Sequence, residues 1–132
     1  MATIDELLAS GWKLHQSARI AEAAQLYRQA TQTAPAHARA WCFHGMACND
    51  LGQLDEAVAS YRRALELRPE FPEALNNLGT TLTKQQKLAE AVEVLGQALR
   101  FKPGYASAHY NLGVALTHLE QLTKAEAEFE HV

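Results

Sequence analysis

The chain has 132 residues, enough for one modest domain, and 48% of them are hydrophobic, an ordinary share for a folded, water-soluble protein. A formal net charge of −3 supplies no excess of Lys and Arg to neutralise phosphates, so nucleic acid is excluded as a partner. The sequence has no run of about 18 apolar residues for a membrane span, and Asp5 and Glu6 stand where a secretion signal needs basic then apolar residues, so membrane insertion is not expected and a cytoplasmic location is.

Along the chain, small and apolar residues recur at three- and four-residue steps, the period of helices, never in the alternation of strands. Thr3 followed by Glu6 reads as a capping box that opens a helix over 4–17, and a second helix is expected over 20–33. Pro35 ends that pair. In the third helix, 38–51, Trp41, His44, Gly45 and Cys48 fall on one stripe, and in the fourth, 54–67, Ala57, Tyr61 and Ala64 do the same. Asn49 to Gly52 forms the stop between them, with Gly52 free to take the left-handed conformation and Asp55 and Glu56 suiting the positive end of the next helix. Pro72 begins the fifth helix, 72–85, at the position proline favours, and 88–101, 106–119 and 122–132 complete the expected set of eight.

These pairs repeat. Pro35, Pro69 and Pro103 are 34 residues apart, and the same step relates Gly11, Gly45, Gly79 and Gly113, then Ala23, Ala57, Ala91 and Ala125, then Tyr27, Tyr61, Leu95 and Phe129. Glycine lets paired helices approach closely, and the alanines leave room for the large side chain opposite. The units divide at about 4–37, 38–71, 72–105 and 106–132.

Cys42 and Cys48 lie six apart on one helix, about 240° around its axis, so no disulfide joins them and both are expected to be buried thiols. No nucleophile, base and oxyanion site converge in the pattern, so no catalytic residue is assigned and the chain is not expected to be an enzyme. His44 and Cys48, four apart, supply two of the four ligands a structural zinc needs, and a buried histidine beside an apolar cysteine explains them more simply. Neither metal nor cofactor is expected. His37 and His131 are expected to be solvated, as is the acidic side formed by Glu126, Glu128 and Glu130.

In this arrangement of Trp41, Gly45, Ala57, Tyr61, Ala64 and Pro69, and of Leu75, Leu78, Gly79, Leu82, Ala91, Ala98 and Pro103, the chain resembles the tetratricopeptide repeat from Ile4 to Val132. It departs from the family at Ser10, His44 and His109, where apolar residues are usual. The resemblance implies an all-α, right-handed solenoid of antiparallel helix pairs, non-catalytic, holding a protein or peptide in its concave groove. The fourth unit reaches Val132 inside its second helix with no capping helix after it, so a piece of a longer protein is expected, with self-association through the uncapped C-terminal end.

Projected onto this sequence, the family's concave positions include Trp12, Arg39, Met46, Asn49, Asn76, Thr80 and Tyr110, with Asn77 and Asn111 one position along, and these are the expected partner-binding residues. An asparagine amide both donates to and accepts from a peptide backbone, so Asn77 and Asn111 either grip an extended peptide or are solvated surface residues. Trp12 either anchors a ligand or packs within the first helix pair. The lysines and arginines with which some members clamp a terminal carboxylate are replaced by Leu8, Cys42, Glu73, Asn77 and Asn111. Asn76-Asn77-Leu78-Gly79 and Tyr110-Asn111-Leu112-Gly113 resemble the repeats preceding the catalytic region of O-linked N-acetylglucosamine transferases, which makes a targeting arm of a larger enzyme the alternative function.

Overall fold

Thr3 begins the first helix as its sequence predicts: its Oγ1 accepts from the Glu6 backbone N–H at 3.1 Å and donates to Glu6 Oε1 at 3.1 Å. The structure, a computed structural model, describes residues 2–130, with side chains through residue 127. Among the described residues there are seven helices and no strand: α1 Ile4–Gln16, α2 Ile20–Thr33, α3 Ala38–Asp50, α4 Leu54–Leu67, α5 Pro72–Lys84, α6 Leu88–Phe101 and α7 Ala106–Glu130. None of them is long and apolar enough to cross a membrane.

The first six form three antiparallel hairpins, and each even-numbered helix also packs on the odd-numbered helix that follows it. The odd-numbered helices therefore lie side by side along one face of an all-α solenoid. Each hairpin closes the same way: Gly11 lies under Tyr27, Gly45 under Tyr61 and Gly79 under Leu95. These three large side chains are fully buried, and full burial of one such side chain contributes roughly 1.5–3 kcal/mol. Ala23, Ala57 and Ala91, on the facing helices, are completely covered, as the small-opposite-large pattern requires.

Hairpin turns share one backbone device. Ala18, Gly52 and Gln86 take positive φ values of 64°, 80° and 63°, and the next residue in each case donates its N–H to the carbonyl five residues back: Arg19 to Leu14, Gln53 to Cys48 and Lys87 to Leu82, all at 2.9 Å. Between hairpins, Pro72 occupies the first turn of α5, and His37 caps α3 by accepting the Ala40 N–H at Nδ1. His37 thus has a structural contact in place of the solvated role its position implied.

Of the three departures at apolar positions, Ser10 is exposed, and His44 and His109 each make an internal polar contact. His44 is buried with its Nδ1 2.8 Å from Ser60 Oγ and Cys48 beside it. His109 is exposed and donates from Nε2 to the Pro103 carbonyl at 2.7 Å. Trp41, two repeats earlier, makes the same bond from its indole N–H to Pro35 at 2.8 Å.

The fourth unit differs from expectation. The turn predicted near residues 120–121 is absent, and the two helices predicted over 106–119 and 122–132 are one 25-residue helix through Glu130. Glu120 stands where Ala18, Gly52 and Gln86 reverse the chain. Ala18 and Gln86 bear a Cβ and accept the positive φ at a cost of about 1–2 kcal/mol, offset in those hairpins by the large side chains packed over Gly11 and Gly79, whereas nothing lies within 4 Å of the Gly113 Cβ position. Leu119, Glu120 and Gln121 are instead all good helix formers, and Glu120 pairs with Lys124 one turn on, Oε1 to Nζ 3.0 Å, across the site of the missing turn. The expectations for His131 and for the side chains of Glu128, Phe129 and Glu130 lie outside the described residues.

Candidate functional site

The concave face holds a cleft of about 700 Å³ between α1, α3 and α5, with Trp12, Arg39, Met46 and Asn77 among its lining residues. Helical spacing puts Arg39, Cys42, Phe43 and Met46 on one side of α3, so about two turns of helix supply a cation, a thiol and two apolar groups. Trp12 reaches across from α1 and meets Phe43 edge-on, ring centroids 6.0 Å apart. Its contact is with the second hairpin, at the mouth of the cleft.

Three further aromatics line the cleft that spacing alone did not single out: Phe43, Phe71 and Tyr105. A signal was present, because Arg68 and Phe71 recur 34 residues later as Lys102 and Tyr105. Arg68 lies over the Phe71 ring at 4.5 Å and Lys102 over Tyr105 at 4.3 Å, so a cation–ring pair is repeated at the two inter-hairpin connections. Arg39 and Arg68 are exposed at the cleft, and Glu73, paired with Lys102 at 3.5 Å, adds one carboxylate.

The amides separate into two kinds. Asn76 is only 4% exposed. Its Nδ2 donates to Ser107 Oγ at 3.2 Å and reaches Tyr105 Oη at 3.5 Å, while its Oδ1 accepts from Asn111 Nδ2 at 3.0 Å. The side chain is withdrawn from the groove and ties α5 to α7, contrary to a direct gripping role. Asn49 is likewise engaged: Oδ1 accepts from Thr81 Oγ1 at 2.9 Å and Lys84 Nζ at 3.3 Å, and Nδ2 donates to Asp50.

Asn77 is half-buried in the cleft wall, its Nδ2 4.0 Å from Cys42 Sγ, and its Oδ1 has no hydrogen-bond donor among the described residues. Asn111 spends its Nδ2 on Asn76 and keeps its Oδ1 without a donor among the described residues. Asn111 lines a second, smaller cleft of about 280 Å³ with Thr80, Lys84 and His118. Tyr110 lies on the outer side of α7, 73% exposed, and borders neither of these clefts. The nine residues expected on one surface are thus divided: four line the larger cleft, two the smaller, two are held in internal networks and one stands apart.

Chemically the larger cleft combines apolar, cationic and amide groups. Burial, with a further push from Glu73, drives the Cys42 thiol up to about 12, against a weaker opposing hydrogen bond from Asn77, so it is a protonated apolar group at neutral pH. Cys48 is pushed up to about 11 by burial and Glu56. No group of three or more His, Cys, Asp or Glu side chains comes together among the described residues to hold a metal ion.

The family model described as TPR repeat matches residues 45–86 and 79–119. No curated protein matches the chain. Among solved structures, the Sgt2 TPR domain from Aspergillus fumigatus superposes with a TM-score of 0.88 at 20% identity, over 92% of this chain and 82% of that one. The first TPR of Spaghetti (RPAP3), bound to the HSP90 peptide SRMEEVD, gives 0.83 at 21% identity, over 86% and 90%. A mutant of the Thermobaculum terrenum O-GlcNAc transferase gives 0.82 at 27% identity, over 88% of this chain and 23% of that one. With its sequence pattern, its hairpins and these matches in agreement, the chain belongs to the tetratricopeptide-repeat family.

Proposed function

We propose that this chain is a non-catalytic interaction module that holds an extended segment of a partner polypeptide in the cleft between α1, α3 and α5. The observation that carries the reading is the composition of that cleft: Trp12, Phe43 and Met46 offer apolar anchorage, Arg39 and Arg68 offer cations, and Asn77 presents an unengaged amide oxygen to a backbone N–H. A segment pairing an apolar or aromatic side chain with an acidic one fits these groups. A bare terminal carboxylate does not, because Glu73, Asn77 and Asn111 stand where a carboxylate clamp places cations. The peptide-bound state of the RPAP3 domain supports peptide binding as a use of this fold.

The test is selection of linear peptides from a random library on the 132-residue chain, followed by titration read through Trp12 emission in a Trp41→Phe background. Selected peptides are expected to perturb Trp12 and to lose at least tenfold in affinity with Met46→Glu, while Lys87→Ala, outside the cleft, leaves binding unchanged. Peptides that bind Met46→Glu as well as the parent would place recognition elsewhere.

A second reading, the substrate-targeting arm of a larger enzyme such as a glycosyltransferase, is favoured by the O-GlcNAc transferase likeness, in which this chain spans about a quarter of the neighbour. The same cleft would then hold the substrate protein.

A further inference from the structure

Successive repeats treat one pair of positions in opposite ways. In the third repeat Glu73, in the first turn of α5, and Lys102, at the end of α6, form an ion pair at 3.5 Å, and the Lys102 ammonium lies over the Tyr105 ring. One repeat earlier the same positions hold Arg39 and Arg68, so the fold sets two cations where it elsewhere joins opposite charges. Arg19, Arg28, Arg62 and Arg63 each pair with a carboxylate. Arg39 and Arg68 pair with none among the described residues, and both are exposed at the larger cleft.

Both guanidiniums are nonetheless held in place. Arg68 lies over Phe71 at 4.5 Å and Arg39 over Phe43 at 5.8 Å, and both rings line the same cleft. A ring beneath the face of a guanidinium leaves the N–H groups at its edge free to donate. The arrangement opposes stability on its own: like charges repel, and Arg39 stands in the first turn of α3, at the positive end of the helix dipole, where α1, α2, α4, α5 and α6 carry an acidic residue. An anion held by both arginines relieves each of these costs. Glu73 also lines the cleft, but its charge is met by Lys102.

We propose that Arg39 and Arg68 form a subsite for a phosphorylated side chain, so that the segment held in the cleft is recognised in its phosphorylated form. The subsite rests on the reading of the cleft as a peptide site and adds the chemistry of one ligand group. A phosphomonoester carries about −1.5 to −2 charges at neutral pH, which balances two guanidiniums, and its oxygens accept the paired N–H donors that a guanidinium fork presents. A side-chain carboxylate balances only one. Trp12 and Met46, along the same cleft, are left to hold an apolar neighbour of the phosphorylated residue.

The test uses the 132-residue chain and three peptide pools with the same degenerate flanks around a central phosphoserine, glutamate or serine, with affinity read by fluorescence anisotropy. The phosphoserine pool is expected to bind at least about tenfold more tightly than the serine pool, with glutamate between them. Arg39→Gln and Arg68→Gln should each remove most of that preference and leave the serine pool unchanged, whereas Arg100→Gln, a cation outside the cleft, should alter none of the three. Arg39→Glu rebuilds the ion pair of the third repeat, and it should abolish the preference while unfolding at a urea concentration no lower than the parent's. Phosphoserine and serine pools that bind alike, glutamate that equals phosphoserine, an equal loss with Arg100→Gln, or a preference that survives in the folded Arg39 and Arg68 variants would overturn the subsite. In that event, binding of the pools that is still lost with Met46→Glu keeps the peptide reading of the cleft while the phosphate subsite falls. Binding of none of the pools would overturn both.

Discussion

A Cβ added to Gly45 would sit 2.7 Å from Cε1 of Tyr61, whose ring is buried against the same helix pair. The ring cannot retreat without opening the hairpin. Gly45→Ala is therefore expected to destabilise the fold by about 1–3 kcal/mol. Gly96, inside α6, has nothing within 4 Å of its own Cβ position, and Gly96→Ala is expected to stabilise by about 0.5–1 kcal/mol through helix propensity alone. Urea unfolding of the two variants checks the pair; equal effects would contradict the packing described.

Two adjacent asparagines should behave oppositely. Asn76→Ala leaves Ser107 and Asn111 without their buried partner, and a loss of about 1–3 kcal/mol is expected. Asn77→Ala removes only a weak contact to Cys42 and should change stability by less than about 0.5 kcal/mol. Peptide binding should be weakened by Asn77→Ala, which makes affinity measured on a stable variant the informative readout.

Burial, reinforced by Arg28 and opposed by Glu56, holds His44 below the ordinary histidine range. The unfolded chain then takes up a proton near pH 6.5 while the folded chain does not, so stability is unaffected at higher pH and falls as the pH drops below about 6.5 towards the lower folded value. In stability curves taken between pH 8 and pH 5, the parent should lose stability relative to His44→Leu as the solution becomes more acidic. Parallel curves would show that His44 is not held neutral.

Cys42 and Cys48 are both buried, and both thiols are raised, to about 12 and about 11. Thiolate is the reactive form, so an aromatic disulfide reagent at pH 8 should label neither site in the native chain and both after denaturation. Fast native labelling of Cys42 would mean that the cleft wall opens readily.

The 34-residue recurrence of glycine, alanine, proline and large side chains was legible at once, because each of those types answers a local demand: close approach, room for insertion, or a helix stop. Six helices follow from it, whereas the cap that His37 places on α3 did not. The concave surface was legible only in part. Helical periodicity identifies a side of a helix, but Asn76 and Asn77 differ by one residue, and their roles depend on whether Ser107, Tyr105 and Asn111 of the next repeat come within bonding distance.

What the sequence by itself determined is the repeated hairpin, its internal faces and the absence of a charge pattern for nucleic acid. Tertiary structure decided which amides remain open to a ligand, which aromatics from successive repeats converge on one cleft, and that the last repeat continues as a straight helix. The physical reason is the range of the interactions. Propensity, capping and periodicity act over a few residues and are written in the chain, whereas the Asn111–Asn76 bond joins positions 35 apart and the fate of the turn at Glu120 rests on a balance between backbone strain and packing that no short segment contains.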